Sequence, residues 1–83
     1  MKENIRFKKS VFKDLESIHP KHRDQILDDL EKGTCYNASK VRPLKGEYEG
    51  LFRIEIGNYR VIFSRTGDDV LILRIAHRKE VYR

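Results

Sequence analysis

The spacing of apolar residues changes near residue 51 of this chain, and the change limits the folds that it can adopt. Over residues 11–30, apolar side chains recur at the spacing of a helix that is buried along one face. They are Val11, Phe12, Leu15 and Ile18, followed by Ile26, Leu27 and Leu30. From Leu51 onward apolar residues recur at every second position, which is typical of half-buried strands. The sequence therefore predicts two helices followed by a sheet.

Capping and helix-breaking residues indicate where the two helices begin and end. Ser10 is a suitable N-cap for the first helix. This helix should end at His19-Pro20, because a proline disfavours a helical conformation in the residue before it. Pro20 can then serve as the first residue of the second helix, and Gly33 is a natural stop at its C-terminal end.

Short turn signals separate the predicted strands. Ile5 and Phe7 alternate with charged residues and indicate a first strand, whereas residues 34–50 are predicted to be a connector. Turns at Gly57-Asn58 and at residues 66–69 divide the remainder into three strands. The predicted order is β-α-α-β-β-β, an α+β fold with a helical hairpin packed on one face of a small antiparallel-rich sheet. We expect residues 1–83 to form one domain, because a chain of this length normally builds one core.

The alternation assigns side chains to the two faces of the sheet. The side chains predicted to face the helices are Phe52, Ile54, Ile56, Tyr59, Val61, Phe63, Leu71, Leu73 and Ile75. The opposite face then carries Arg53, Glu55, Arg60, Ser64 and Arg74. Three arginines on one open face repel each other unless an anion lies among them. Two explanations stay open: an anionic ligand binds there, or Glu55 neutralises part of the charge.

Composition favours an anionic partner. The chain carries a formal net charge of +5 and has a pI near 9.5, which is common among proteins that bind nucleic acid. Cys35 is the single cysteine, so no internal disulfide can form, and a reducing compartment is favoured. The N-terminal residues lack the apolar core of a signal peptide, so we expect a cytoplasmic protein. His19, His22 and Cys35 offer no fourth ligand, and we expect neither a metal nor another cofactor.

Three motifs, in this order, suggest a family. They are Leu44-Lys45-Gly46, then Arg53-Ile54 followed by Gly57-Asn58-Tyr59-Arg60-Val61-Ile62-Phe63, then His77-Arg78 followed by Val81-Tyr82. Together they resemble the RelE/ParE toxin superfamily over essentially the whole chain. The resemblance implies the toxin of a type II toxin–antitoxin system. In the RelE branch such toxins enter the ribosomal A site and cut mRNA, whereas the ParE branch is known for inhibiting DNA gyrase.

The resemblance also implies roles for particular residues. Arg60, Arg78 and Tyr82 match the positions at which the RelE branch carries its catalytic groups, and His77 lies alongside Arg78. Arg53, Arg74 and Lys45 are candidates for binding flanking phosphates. Glu55 departs from the pattern, because the best-known form has a lysine close to that position. A cognate antitoxin is implied as the partner; we expect it to be acidic and partly disordered until it binds.

These residue types suit the cleavage of RNA by its own 2′-hydroxyl. Arginines remain charged and hold two phosphate oxygens at once, so they can stabilise the charge that develops at the phosphorus. Imidazole titrates near neutral pH, which makes His77 a candidate acid or base. The alternatives are that His77 is structural, that Tyr82 only packs on the sheet edge and that Lys45 is merely solvated. The leading hypothesis is a metal-independent, ribosome-dependent mRNA endonuclease; the others are a gyrase inhibitor and an inactive nucleic-acid-binding protein.

Overall fold

A computed structural model of the chain describes residues 4–79, and within them two helices pack against one face of a five-stranded mixed sheet. The strands are β1 (Asn4–Phe7), β2 (Arg42–Pro43), β3 (Phe52–Ile56), β4 (Tyr59–Thr66) and β5 (Asp69–His77), and the helices are α1 (Lys9–Glu16) and α2 (Pro20–Glu31). The strand order is β1-β5-β4-β3-β2, with β1 parallel to β5 and the other pairs antiparallel. The predicted α+β class and the helical hairpin on one face are confirmed.

The predicted connector is more structured than the sequence indicates. It contains two short 3-10 turns, Thr34–Tyr36 and Gly46–Tyr48, and the two-residue strand β2 between them. In β2, Arg42 pairs with Arg53 of β3. The sequence predicted a connector here but did not indicate the strand β2 within it. The strand is too short to show an alternating pattern, and its Pro43 is tolerated because β2 lies at the edge of the sheet.

The first helix differs from its prediction at both ends. Lys8, not Ser10, is the N-cap residue, and no side chain caps it. The helix ends at Glu16, three residues before His19, and Ser17 follows as the C-cap. The Ser17 hydroxyl donates to the carbonyl oxygen of Asp14 at 2.7 Å, which satisfies one of the terminal carbonyls.

The second helix follows its prediction closely. It begins at Pro20, and the Nδ1 atom of His19 accepts a hydrogen bond from the backbone N–H of Lys21 at 3.1 Å. His19 therefore caps a helix N-terminus that has no Ser, Thr, Asp or Asn at that position. Gly33 follows the helix with φ = 85°, in the left-handed region that glycine adopts at low cost.

The main core lies between the helices and the sheet. Its fully buried members include Val11, Ile26, Leu30, Ile54, Val61, Phe63, Val70, Ile72 and Ile75. Phe12, predicted to share this core, is instead 54% exposed and contacts Phe7, with 6.3 Å between ring centroids. Consecutive residues of a helix point about 100° apart, so α1 directs Val11 into the core and leaves Phe12 at the border of its buried face.

A β-bulge in β5 changes the predicted faces of that strand. Ile62 pairs with Arg74 but the next residue, Phe63, pairs with Ile72, so Leu73 is an extra residue in the ladder. N-terminal to the bulge, Val70 and Ile72 face the helices, and Leu71 is 38% exposed. The prediction that Leu71 and Leu73 face the helices was wrong, because one inserted residue inverts the alternation. C-terminal to it, Ile75 faces the helices as predicted.

A side chain from α1 closes the strand edge next to this bulge. β1 accompanies β5 only as far as Ile72, where it ends at Phe7. Beyond that point the Oδ2 atom of Asp14 accepts a hydrogen bond from the backbone N–H of Ile75 at 3.0 Å. Asp14 thus satisfies an edge amide that no strand pairs with.

The helices of the described part of the chain are short. None of them is long and apolar enough to cross a membrane.

Candidate nucleic-acid interface

Four arginines lie on the sheet face opposite the helices, and we call this surface the arginine face: Arg42, Arg53, Arg60 and Arg74. Cross-strand pairing places Arg42 opposite Arg53, Arg53 opposite Ile62, and Ile62 opposite Arg74. Arg60 lies in the neighbouring row, between Glu55 and Ala76. The prediction that Arg53, Arg60 and Arg74 share one face is confirmed. Arg42 joins them because β2 extends the sheet, which the sequence analysis missed.

The arginine face surrounds an apolar centre. Ile62 and Ala76 are each only 8% exposed, and the leucines Leu44, Leu51 and Leu73 pack against them. We call these five residues the far-side cluster. The sequence contained a signal for it, since Ile62 and Ala76 occupy outward positions and two leucines flank the turn before β3. The arginines therefore surround an apolar surface from which water is partly excluded.

Glu55 lies between two of the arginines. Its Oε1 atom is 3.5 Å from Nε of Arg60, and its Oε2 atom is 4.0 Å from Nη1 of Arg53. The side chain of Arg60 is 22% exposed and that of Arg53 is 26% exposed, whereas the side chain of Glu55 is 51% exposed. The explanation in which Glu55 neutralises part of the charge is therefore supported. One carboxylate cannot neutralise four guanidinium groups, so the face keeps a positive excess.

A cleft of about 270 Å³ lies at the β2 end of the arginine face, where Lys40, Arg42 and Arg53 line it together with Glu55. The Nη1 atom of Arg42 donates to the carbonyl oxygens of Ser39 and Val41, each at 3.2 Å. These bonds hold the Arg42 guanidinium close to the connector. No pattern in the sequence singled out Lys40 or Arg42, although both precede Pro43 in a basic stretch.

Lys45 is exposed and lies beside the far-side cluster. It takes an extended conformation immediately before the 3-10 turn Gly46–Tyr48. With Leu44 and Leu51 it lines a cleft of about 390 Å³. Lys45 is therefore placed where its ammonium group can reach an anion at the border of the arginine face.

His77 and Arg78 lie at the end of β5, away from the centre of the arginine face. His77 pairs with Tyr59 on the helix-facing side of the sheet, and their rings meet edge to face with 5.6 Å between centroids. Arg78 is exposed in the turn that follows, where its backbone N–H donates to the carbonyl oxygen of Asn58 at 2.9 Å. The structure thus places Arg60 and His77 on opposite faces near the same end of the sheet. Tyr82 lies outside the described residues.

This arrangement can bind a polyanion along one face and stack planar groups at one end. Guanidinium groups supply paired donors for phosphate oxygens, and the positive excess attracts a nucleic-acid backbone. Within residues 4–79, no group of three or more His, Cys, Asp or Glu side chains is placed to hold a metal ion.

Comparison with known proteins identifies the class to which this fold and this face belong. The model of a family described as the ParE toxin of type II toxin–antitoxin systems matches residues 5–82. The chain belongs to this family, within the RelE/ParE toxin superfamily, and it is a toxin of the type II toxin–antitoxin class.

Two curated relatives carry RelE-type names. A protein named Toxin RelE3 from Methanocaldococcus jannaschii is 31% identical over 84 residues, covering 94% of this chain and 93% of its own length. A protein named Toxin RelG from Mycobacterium tuberculosis is 29% identical over 87 residues, covering 100% of this chain and 99% of its own. This chain is similar to both over almost its whole length.

Solved structures agree on the fold. The RelBE2 toxin–antitoxin complex from Mycobacterium tuberculosis contains a chain that matches with a TM-score of 0.83 and 23% identity, covering 94% of this chain and 100% of that one. The RelB–RelE complex from Methanococcus jannaschii matches with a TM-score of 0.74 and 28% identity, covering 93% of this chain and 94% of that one. The α+β arrangement described above is therefore the RelE-like fold.

Proposed function

We propose that this toxin is a ribosome-dependent mRNA endonuclease that acts in the cytoplasm and inhibits translation. The observation that carries the proposal is the arginine face, on which four strands present guanidinium groups around an apolar centre. The RelE-type names of the two curated relatives support the same branch of the superfamily.

In the proposed reaction the arginines stabilise charge at the scissile phosphate. The 2′-hydroxyl of the RNA attacks the adjacent phosphorus, and the 5′-oxygen leaves. Arg60 and Arg78 hold the oxygens of that phosphate, while Arg53, Arg74 and Lys45 hold flanking phosphates. Glu55 is the anion that Arg60 contacts in the free chain, so an incoming phosphate would replace this carboxylate as the partner of the guanidinium.

The proton transfers are assigned to two candidates. His77 lies on the helix side, so it would meet the substrate only where the RNA passes the end of the sheet. Tyr82 is a poor base at neutral pH unless cations such as Arg78 stabilise its anion. A Tyr82→Phe variant separates the candidates, because it keeps the ring and removes only the hydroxyl. We expect a substantially slower single-turnover cleavage with nearly unchanged ribosome binding. An unchanged rate would assign the acid–base role to His77.

Primer extension on an mRNA translated in vitro tests the proposal directly. With the toxin present, cuts should appear within codons covered by ribosomes. The same RNA without ribosomes should stay largely intact at the same toxin concentration, because within residues 4–79 the arginine face carries neither an imidazole nor a pair of carboxylates for acid–base catalysis. Equal cleavage of naked and translated RNA would contradict ribosome dependence.

A second candidate function is inhibition of DNA gyrase without catalysis. The matching family is described as a ParE toxin, which is the observation that favours this candidate. A gyrase supercoiling assay with the same preparation distinguishes the two. Loss of supercoiling with intact translated mRNA would select gyrase, whereas activity in neither assay would favour an inactive nucleic-acid-binding protein.

The partner in the cell is proposed to be a cognate antitoxin. Two of the similar solved structures are complexes of a RelE-type toxin with an antitoxin. The positive excess of the arginine face favours an acidic partner that is partly disordered before it binds and forms a hetero-oligomer with the toxin. Binding should raise the melting temperature of the toxin by mass action.

A further inference from the structure

All three histidines of the chain gather at one end of the molecule. His19 and His22 come from the start of α2, and His77 comes from the end of β5. Tyr59, the first residue of β4, lies between the last two: its ring centroid is 5.8 Å from that of His22 and 5.6 Å from that of His77. His19 continues the row, with 6.1 Å between its ring centroid and that of His22. Residues far apart in sequence thus form one continuous group of planar rings.

These rings border a cleft of about 280 Å³ on the helix side of the sheet. Its lining contains the rings of His22, Tyr59 and His77, the amide-bearing residues Gln25 and Asn58, and the buried Ile56. Among residues 4–79, no carboxylate lines it. We call it the histidine–tyrosine cleft. It offers planar surfaces for stacking, neutral donors and acceptors from amides, and an apolar residue beneath them.

This combination suits a flat heterocycle better than a bare anion. A nucleobase stacks on aromatic and imidazole rings, and its edge accepts and donates hydrogen bonds that side-chain amides can match. The described part of the chain contributes no arginine or lysine to the lining of the cleft that could bind a phosphate. The chemistry of the cleft therefore favours binding of a nucleobase over binding of the nucleic-acid backbone.

The position of the cleft connects it with the arginine face. Tyr59 and Arg60 are neighbours on β4 and point to opposite faces, so the β3–β4 turn is the boundary between the two surfaces. Arg78 lies at the same boundary, since its backbone N–H is bonded to the carbonyl oxygen of Asn58 in that turn. A single strand whose phosphates contact Arg60 can therefore pass around this end of the sheet and bring a base to the helix side.

We propose that the histidine–tyrosine cleft binds one unstacked nucleobase of a single-stranded RNA whose backbone lies on the arginine face. This inference rests on the proposed function, because it takes RNA as the ligand. It assigns a role to His22 and Gln25, which take no part in the proposed cleavage chemistry. His22 acts by stacking, so its ring matters and its charge does not.

The test compares two short oligoribonucleotides of equal length, one with normal bases and one with abasic riboses. Binding of each to the full chain is measured by fluorescence anisotropy. The normal oligonucleotide should bind more tightly than the abasic one, and His22→Ala should weaken its binding by about tenfold, the order expected for loss of one stacked base. The same variant should leave abasic binding unchanged.

Two further variants exclude a merely electrostatic or structural effect. His22→Phe keeps a stacking ring without a titratable group and should retain most of the affinity for the normal oligonucleotide. Lys21→Ala, next to His22 in α2, removes a cation and no ring, so it should weaken both oligonucleotides equally or neither. Equal binding of the normal and abasic oligonucleotides, no binding of either, or a His22→Ala variant that binds like the parent would overturn the inference.

Cleavage of translated mRNA is scored separately on the same proteins. If the parent cuts translated mRNA while base-dependent binding is absent, the inference fails and the proposed function stands. If the parent cuts no translated mRNA, the proposed function fails, whatever the oligonucleotides show.

Discussion

The two faces of the sheet differ in how much of their surface is buried. On the helix side, side chains such as Phe63 and Val61 are fully buried and belong to one continuous core. On the other side, among residues 4–79, only Ile62 and Ala76 are buried, and the partly buried Leu44, Leu51 and Leu73 pack against them. A face covered by helices has to be apolar along its length. A face that is mostly open can carry charged groups, and it is there that this toxin gathers its arginines.

The strand β5 shows how closely the two faces are coupled. Leu73 and Arg74 are neighbours that both contribute to the arginine side, whereas Ile72 and Ile75 on either side of them belong to the core. The bulge makes this possible by adding one residue to the strand. Packing on one face therefore fixes where an arginine appears on the other.

The largest expected effect on stability comes from removing a large side chain from the core on the helix side of the sheet. Phe63→Ala removes a fully buried ring and should lower the free energy of unfolding by about 3–5 kcal/mol, measured by urea denaturation. Leu73→Ala in the half-buried far-side cluster is the matched change and should cost roughly half as much or less. Equal losses would show that both faces contribute equally to stability and would contradict the difference between them.

The next effect concerns the edge of β5. Asp14→Ala leaves the backbone N–H of Ile75 without its partner and should cost about 1–3 kcal/mol of stability. Asp14→Asn keeps a side-chain oxygen as acceptor and should retain most of that stability. Thermal unfolding of the two variants checks this, and an Ala variant as stable as the parent would contradict the role of Asp14.

The third prediction contrasts two arginines of the same strand. Arg60→Ala should slow cleavage of translated mRNA by at least about tenfold while the protein stays folded, because its side chain lies on the open face. Arg65 is the control: its guanidinium lies over the rings of Tyr36 and Phe52 at 5.2 and 5.1 Å and donates to the carbonyl oxygen of Cys35 at 2.9 Å.

Arg65→Ala should therefore lower the melting temperature and leave the cleavage rate of the folded protein nearly unchanged. Circular dichroism and single-turnover kinetics measure the two properties separately. An Arg60 variant that unfolds, or that cuts at the parental rate, would remove Arg60 from the proposed site.

A smaller effect is expected from the carboxylate on the arginine face. Glu55→Gln removes the anion that contacts Arg53 and Arg60, so RNA should bind roughly threefold more tightly at low salt, and the affinity should fall more steeply with salt. Stability should change by less than about 1 kcal/mol, because the carboxylate is half exposed. Unchanged affinity would mean that Glu55 does not compete with phosphate.

The smallest effect lies on α2, away from both faces. The pKa of Lys32 is raised above its usual value of 10.5, first by its hydrogen bond and then by its charge interaction with Asp28, whose Oδ2 atom is 2.9 Å from Nζ. A raised folded-state pKa stabilises the fold at pH values below 10.5 and loses that contribution as the pH rises through the folded value. Asp28→Asn should lower the pKa of Lys32 in an NMR titration, without a measurable effect on RNA binding.

Much of the fold could be predicted because local patterns agree with the final packing. The helical spacing that includes Val11 and Ile26, the proline that starts α2 and the alternation around Ile54 and Val61 all indicate elements that the structure contains. The strand β2 could not be predicted, because two residues that pair only with Arg53 and Phe52 carry no pattern of their own. The bulge at Leu73 could not be predicted for a related reason, because an inserted residue can be recognised only from its pairing with the neighbouring strand.

The features of the candidate site likewise fall into those that the sequence predicted and those that only the structure revealed. Alternation alone placed Arg53 and Arg60 on one face, and charge composition indicated an anionic ligand. The sequence by itself thus determined the element order and the sidedness of β3 and β4, since both follow from interactions between near neighbours along the chain. Only the tertiary structure decided that Arg42 joins the arginine face and that three histidines meet at Tyr59. These placements depend on strand pairing and helix docking between residues far apart in sequence, and no local pattern encodes such contacts.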